Sequence, residues 1–211
     1  VIASSSAVVS SSVSTASSVA SSSSSRSSSA TSSAASSSKV PSVYIAGYES
    51  NGVNNVAKLW KNGSATSLTD GTMSARASSV FFSGNDVYLA GYETTAAGGS
   101  TAMYWKNGIA NTLPSATGWA SAKSIFVAGN DVYIVGAYDS GTTSIGQYWK
   151  NGVSVPITAK DLSAIIVSGS DVYIAGSEYN GTCEVAKYWK NGAAVALTAG
   201  LQFSRATSMV L

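Results

Sequence analysis

The chain has 211 residues, 45% of them hydrophobic and only 10% charged, with a net charge of +2. That is enough apolar material for a buried core and too little charge to steer a nucleic acid onto the surface, so no nucleic-acid partner is expected. Histidine is absent and Cys183 is the single cysteine. This removes histidine general bases, Cys–His pairs, CxxC redox motifs, ordinary zinc sites and any disulfide within the chain.

Composition divides the chain near residue 40. Residues 1–39 are more than half serine, contain no aromatic side chain and carry one charge before Lys39. Serine competes for backbone hydrogen bonds and buries little surface, so this segment by itself does not offset the entropy of ordering it. It reads as an exposed tether or stalk. Ile2, Val8, Val9, Val13, Ala16, Val19 and Ala20 recur every three or four residues, and in a helix they would form a thin stripe of small apolar side chains. Neighbouring copies packed along that stripe would order it and make it an assembly element. Long Ser/Thr-rich stalks are typical of exported, O-glycosylated proteins. A first residue of Val rather than Met fits a removed export signal or an incomplete sequence. The expected location is therefore extracellular or at the cell surface, with no membrane span, although one cysteine fits either redox compartment.

From residue 40 onward the chain repeats itself. Aligned on tryptophan, the copies are VYIAGYESNGVNNVAKLWKNGSATSLT from Val43, VYLAGYETTAAGGSTAMYWKNGIANTL from Val87, VYIVGAYDSGTTSIGQYWKNGVSVPIT from Val132 and VYIAGSEYNGTCEVAKYWKNGAAVALT from Val172. Between them lie ASSVFFSGND, AKSIFVAGND and LSAIIVSGSD, and ATSMVL at the C-terminus matches the start of the same element. The period of about 40 to 45 residues is the length of one four-stranded propeller blade.

Each copy is predicted to form four strands. Residues 79–83, SVFFS, are β-branched and aromatic, and Gly-Asn-Asp then turns the chain into VYLAG, forming the first hairpin. After a loop of variable length comes the strand ending in Tyr-Trp-Lys. Asn-Gly supplies the two φ > 0 positions of a type I′ turn into a short strand ending in Leu-Thr. The recurring Trp60, Trp105, Trp149 and Trp189 are predicted to pack between units rather than form sugar-stacking platforms. Lys61, Lys106, Lys150 and Lys190 read as solvent-facing charges that discourage stray strand pairing.

The pattern VYIAGYE, YWKNG, LT, SIFVSGND resembles the tandem-repeat β-propellers of bacterial secreted and surface proteins, over about residues 40–211. The implied fold is all-β, a β-propeller of four-stranded antiparallel blades with four repeats in this chain, preceded by the Ser-rich segment at 1–39. Propellers host binding, scaffolding and catalysis alike, so the resemblance implies no particular activity. The GH…WD pairing of WD40 repeats and the fixed double glycine of kelch repeats are both missing.

With SVFFS as the innermost strand, the chain opens on the second strand of a blade at Val43 and finishes on a first strand at residues 209–211. A C-terminal strand completing the N-terminal blade would close a ring and remove its open edges. Three arrangements fit: a closed four-blade monomer, two chains sharing one eight-bladed ring, and a piece of a longer array.

Candidate site residues come from loops where the copies differ. Arg76, Ser121, Asp161 and Arg205 stand at one equivalent position before the inner strand, with Lys123 and Lys160 nearby. Such a mixed rim would bind an anion or a sugar acid, or simply be solvated. Trp119 is predicted in a loop where no other copy has an aromatic, and is the best single candidate for a ligand or partner contact. Glu49, Glu93 and Glu178 recur after the second-strand glycine, with Asp139 one position later. They suit a calcium site or glycosidase chemistry, but Lys58 and Lys187 stand nine residues after Glu49 and Glu178, so cross-strand ion pairs are the simpler expectation. NGS at Asn62 and NGT at Asn180 match glycosylation sequons, although turns explain both asparagines.

The expected protein is a non-enzymatic extracellular structural or assembly module, with no catalytic residues, metal or cofactor. It would self-associate into a homo-oligomer, filament or surface layer. The alternative is a carbohydrate-binding surface propeller whose partner is a glycan, using Trp119, Arg76, Lys123, Asp161 and Arg205.

Overall fold

Four Asn-Gly turns set the local geometry. In a computed structural model, which describes residues 41–116 and 118–211, the asparagines at 62, 107, 151 and 191 have φ of 50–53°. Their glycines lie at 78–85°, giving the predicted pair of left-handed positions. Each turn joins a Trp-Lys strand to a short strand. The expected tether, helical stripe and assembly role of residues 1–39 lie outside the described residues.

The described residues contain fifteen strands and no helix. The first unit comprises β1 (Tyr44–Ser50), β2 (Asn55–Lys61) and β3 (Ser64–Ser67). The second comprises β4 (Ala75–Ser83), β5 (Asp86–Thr94), β6 (Ser100–Lys106) and β7 (Ile109–Thr112). The third comprises β8 (Trp119–Ala128), β9 (Asp131–Asp139), β10 (Ser144–Lys150) and β11 (Val153–Val155). The fourth comprises β12 (Asp161–Ser168), β13 (Asp171–Tyr179), β14 (Glu184–Lys190) and β15 (Ala193–Ala196). Each unit is an antiparallel meander. Among the described residues no helix is long and apolar enough to cross a membrane.

The units group into three sheets, of three, eight and four strands. The eight-stranded sheet joins the second and third units through one parallel pairing, Ser100 with Trp119. Gly99 permits this crossing, because a Cβ there would lie 2.1 Å from the Gly118 carbonyl oxygen. Of the three arrangements that fit the sequence, the closed four-blade monomer is not formed by the described residues. The first unit has three strands, and residues 209–211 are not in a strand. The C-terminal segment instead lies along the fourth unit, with Ser204 N donating to Glu184 O and Ala206 N to Gly176 O.

Side chains bury between units rather than within them. Ala57 and Leu68 of the first unit pack with Ala77, Leu89 and Trp105 of the second. Tyr88, Ala90 and Leu113 pack with Ile125, Ile134 and Trp149 of the third. Val135 and Tyr148 pack with Ile165, Ile174 and Trp189 of the fourth. The packing role predicted for tryptophan holds for Trp105, Trp149 and Trp189, each no more than 2% exposed, whereas Trp60 is half-buried. The first strands lie longer than SVFFS and carry one bulged residue each, between Ala77 and Ser79, Ala122 and Ser124, and Leu162 and Ala164.

The lysines after tryptophan, read from sequence as solvent-facing charges, are exposed and also take part in a local lock. Lys106, Lys150 and Lys190 pair with Asp86, Asp131 and Asp171 at 2.7–3.0 Å and sit over the rings of Tyr88, Tyr133 and Tyr173. The turn asparagines lock the same corner, accepting from a Val N near the start of β5, β9 or β13 and donating to the same aspartates. In the first unit Ser42 replaces the aspartate, and Lys61 lies over the Tyr44 ring without a carboxylate partner among the described residues.

Candidate functional site

At the opposite end of the units, where the copies differ, charged side chains meet across the seams. Lys123 occupies the bulge of β8, and a bulge re-aims its side chain out of the strand's alternation. Its ammonium donates to Asp161, the first residue of β12. Arg205 approaches Asp161 with Nη1 at 3.6 Å from Oδ2. It also holds Glu184, the first residue of β14, donating from Nε and, at 2.7 Å, from Nη2. Ser177 Oγ donates to Glu184 Oε2 at 2.9 Å. The result is an alternating chain Lys123, Asp161, Arg205, Glu184 spanning the third unit, the fourth unit and the C-terminal segment.

Both acids are buried, Asp161 to 6% and Glu184 to 7% exposure. Buried carboxylates persist when they are hydrogen-bonded and paired. The Arg205 guanidinium is the main reason that the Glu184 carboxyl titrates below its ordinary value, assisted by the Ser177 hydroxyl and opposed by burial. Glu184 in turn raises Arg205.

Beside this chain opens a cleft of about 490 Å³, lined by Thr143, Lys160, Tyr179, Thr182, Cys183, Glu184 and Phe203. Tyr179 and Phe203 are exposed to 55% and 65%. Lys160 donates to the Thr143 hydroxyl rather than to a carboxylate. Asn180 shapes the wall, accepting from Thr182 N and Cys183 N at 2.9 Å and donating to Gly200 O.

Of the residues selected from sequence, Lys123, Asp161 and Arg205 come together. Arg76 is engaged elsewhere: its guanidinium lies 4.2 Å from the Tyr48 ring centroid, and its buried Nε has no hydrogen-bond partner. Trp119 is 55% exposed but opens β8 instead of lying in a loop, and pairs with Asp139 and Ser100. The recurrent glutamates behave as cross-strand partners in two units, with Lys58 3.1 Å from Glu49 and Lys187 2.6 Å from Glu178. Glu93 titrates high because it is partly buried, and because Asp70 is nearby. Asp139 accepts from Gly141 N. Among the described residues no group of three metal-binding side chains forms.

Sequence reasoning missed Glu184 and Ser177. Their signal was positional: Asn55, Ser100 and Ser144 stand where the fourth copy has Glu184, and Tyr48, Tyr92 and Ala137 where it has Ser177.

No family model matches the chain, and no curated protein matches it. Among solved structures it is similar to a thermostable family-43 glycoside hydrolase, at 11% identity and a TM-score of 0.46, covering 79% of this chain and 74% of that one. The expectation that the chain is not an enzyme is corrected accordingly, since a hydrolase stands among its structural neighbours. A likeness at this level assigns no activity.

Proposed function

We propose that this chain is an exported β-propeller module, extracellular or at the cell surface, that assembles with further copies of itself. Its units are the blades, with β4, β8 and β12 side by side as inner strands. Residues 1–39 are the tether or polymerising segment. One observation carries this reading: the stack of units is open at both ends, and β1 has β2 as its only strand partner among the described residues. Unpaired strand edges template association.

Light scattering on the full chain and on a chain beginning at Lys39 tests it. Large particles from the full chain alone assign polymerisation to residues 1–38. Association of both assigns it to the units. A monomer in both cases defeats the reading.

The cleft favours a second reading, a glycan-binding propeller. Lys160, the hydroxyls of Thr143 and Thr182, and the exposed rings of Tyr179 and Phe203 suit an acidic sugar that stacks on an aromatic and presents a carboxylate. Titration calorimetry with uronic-acid oligomers should detect binding that Lys160→Ala weakens at least tenfold. Absence of heat with the unaltered chain would reject this ligand class.

A further inference from the structure

The two ends of the stack expose the same side chains that its interior buries. Leu68 and Leu113 close the first and second units against the next and are 9% and 2% exposed, whereas their counterpart in the fourth unit, Leu197, is 55% exposed. At the other end, Trp60 is half-buried where Trp105, Trp149 and Trp189 are enclosed by a preceding unit.

A glycine carries the same message. In β5, β9 and β13, a Cβ on Gly91, Gly136 or Gly176 would lie 1.9–2.1 Å from a carbonyl oxygen of the unit's first strand, that of Arg76, Ser121 or Asp161. Only glycine tolerates that approach. β1 keeps the glycine at Gly47, yet among the described residues no backbone lies within 4 Å of a Cβ built there, and its neighbours are atoms of the Trp60 ring. The site is shaped for a strand that the described residues do not supply.

The chain contains such a strand sequence. Residues 205–211, RATSMVL, align with Arg76–Phe82, and Arg205 takes the place of Arg76, Ser121 and Asp161. Residues 204–206 are already held against the fourth unit by backbone bonds and by the Arg205 ion pairs. Beyond them Val210 and Leu211 are 87% and 65% exposed, although their counterparts Phe81 and Phe82 sit in a formed strand. The segment is anchored along one edge and unpaired along the other.

We propose that the occupant of the β1 edge is a second copy of this chain: residues 205–211 of one molecule add antiparallel to β1 of the next. The register follows from the formed units, where Ala77 faces Gly91 and Val80 faces Leu89. Ala206 therefore faces Gly47, Met209 faces Ile45, and Leu197 meets Trp60 across the junction. The contact is head-to-tail, closing into a ring or continuing as a filament according to the rotation per copy. Its mode is β-strand addition. The inference rests on the self-assembly reading above and gives it a surface.

The test uses full-length chains carrying Cys183→Ser, so that introduced thiols are the only ones. Chains with Ile45→Cys are mixed with chains with Met209→Cys under mild oxidation. Facing residues of an antiparallel pair have Cβ atoms within about 5.5 Å, close enough for a disulfide after small adjustment. A disulfide-linked dimer, formed at least tenfold more than with Ser208→Cys replacing Met209→Cys, is expected. Gly47→Ala in the otherwise unaltered chain should weaken association at least tenfold by light scattering, with the circular dichroism spectrum unchanged. Self-association without that cross-link and insensitive to Gly47→Ala overturns this interface and leaves the assembly reading standing. A monomer at every concentration overturns both. An intramolecular disulfide in a chain carrying both cysteines, at monomer mass, overturns the second copy in favour of closure within one chain. If Gly47→Ala fails to fold, the cross-link alone decides.

Discussion

The turn end of each unit and its seam end are built from different kinds of contact. At the turn end, Asp131, Tyr133, Lys150 and Asn151 lock to one another within one unit, and the second and fourth units repeat the arrangement with the same residue types. At the seam end, Lys123, Asp161, Glu184 and Arg205 come from the third unit, the fourth unit and the C-terminal segment, and among the described residues no other seam has the same set. Contacts inside a unit are copied whenever the unit is copied. Contacts between units are free to differ, so the seam is where a stack of similar units acquires a site of its own.

Five substitutions test how far this contrast reaches, from the largest effect to the smallest. Trp149→Ala removes a side chain enclosed between the second and third units whose Nε1 donates to Pro114 O. It should cost about 3–5 kcal/mol in denaturant unfolding. Trp60→Ala should cost clearly less, because among the described residues no preceding unit encloses that half-buried ring. Asn151→Ala places alanine at a φ of 53° and removes the hydrogen bonds to Val132 and Asp131. A loss of roughly 2–3 kcal/mol is expected, from left-handed strain and lost bonds together.

Glu184→Gln breaks the seam instead and should cost about 1–2 kcal/mol at neutral pH. It should also change the pH profile. The folded state holds Glu184 below its ordinary value of 4.5, chiefly through Arg205. Its contribution is therefore present above pH 4.5 and lost as pH falls through the lowered folded value. Melting temperatures between pH 3 and 6 should fall less steeply in the variant, about pH 4.5 and below. Lys150→Gln gives the smallest effect, a melting temperature close to that of the unaltered chain, because its pair with Asp131 is solvated on both sides. A large loss there would show that the turn-end lock acts as one unit.

Much of this was legible without coordinates because it is local. The Asn-Gly turns, the order of strands within each unit and the Glu49–Lys58 and Glu178–Lys187 pairs follow from spacing, since a hairpin with a known turn fixes its own register. The tryptophans were readable as packing from their recurrence beside one turn. Glu184 and Arg205 are 21 residues apart and Lys123 and Asp161 are 38 apart. Their meeting depends on how units stack and on a bulge in β8, neither of which spacing records. Trp119, selected for being unlike its counterparts, proved to start a strand.

The sequence by itself determined the unit: its strands, its turns and the residues that lock its corner, because each of those choices is settled among near neighbours. Only the tertiary structure decided which charges share a seam, and that RATSMVL, a strand by composition, is not one where it lies. A β-strand makes its ladder hydrogen bonds with partner strands rather than within itself, and partners are supplied by the fold rather than by the segment.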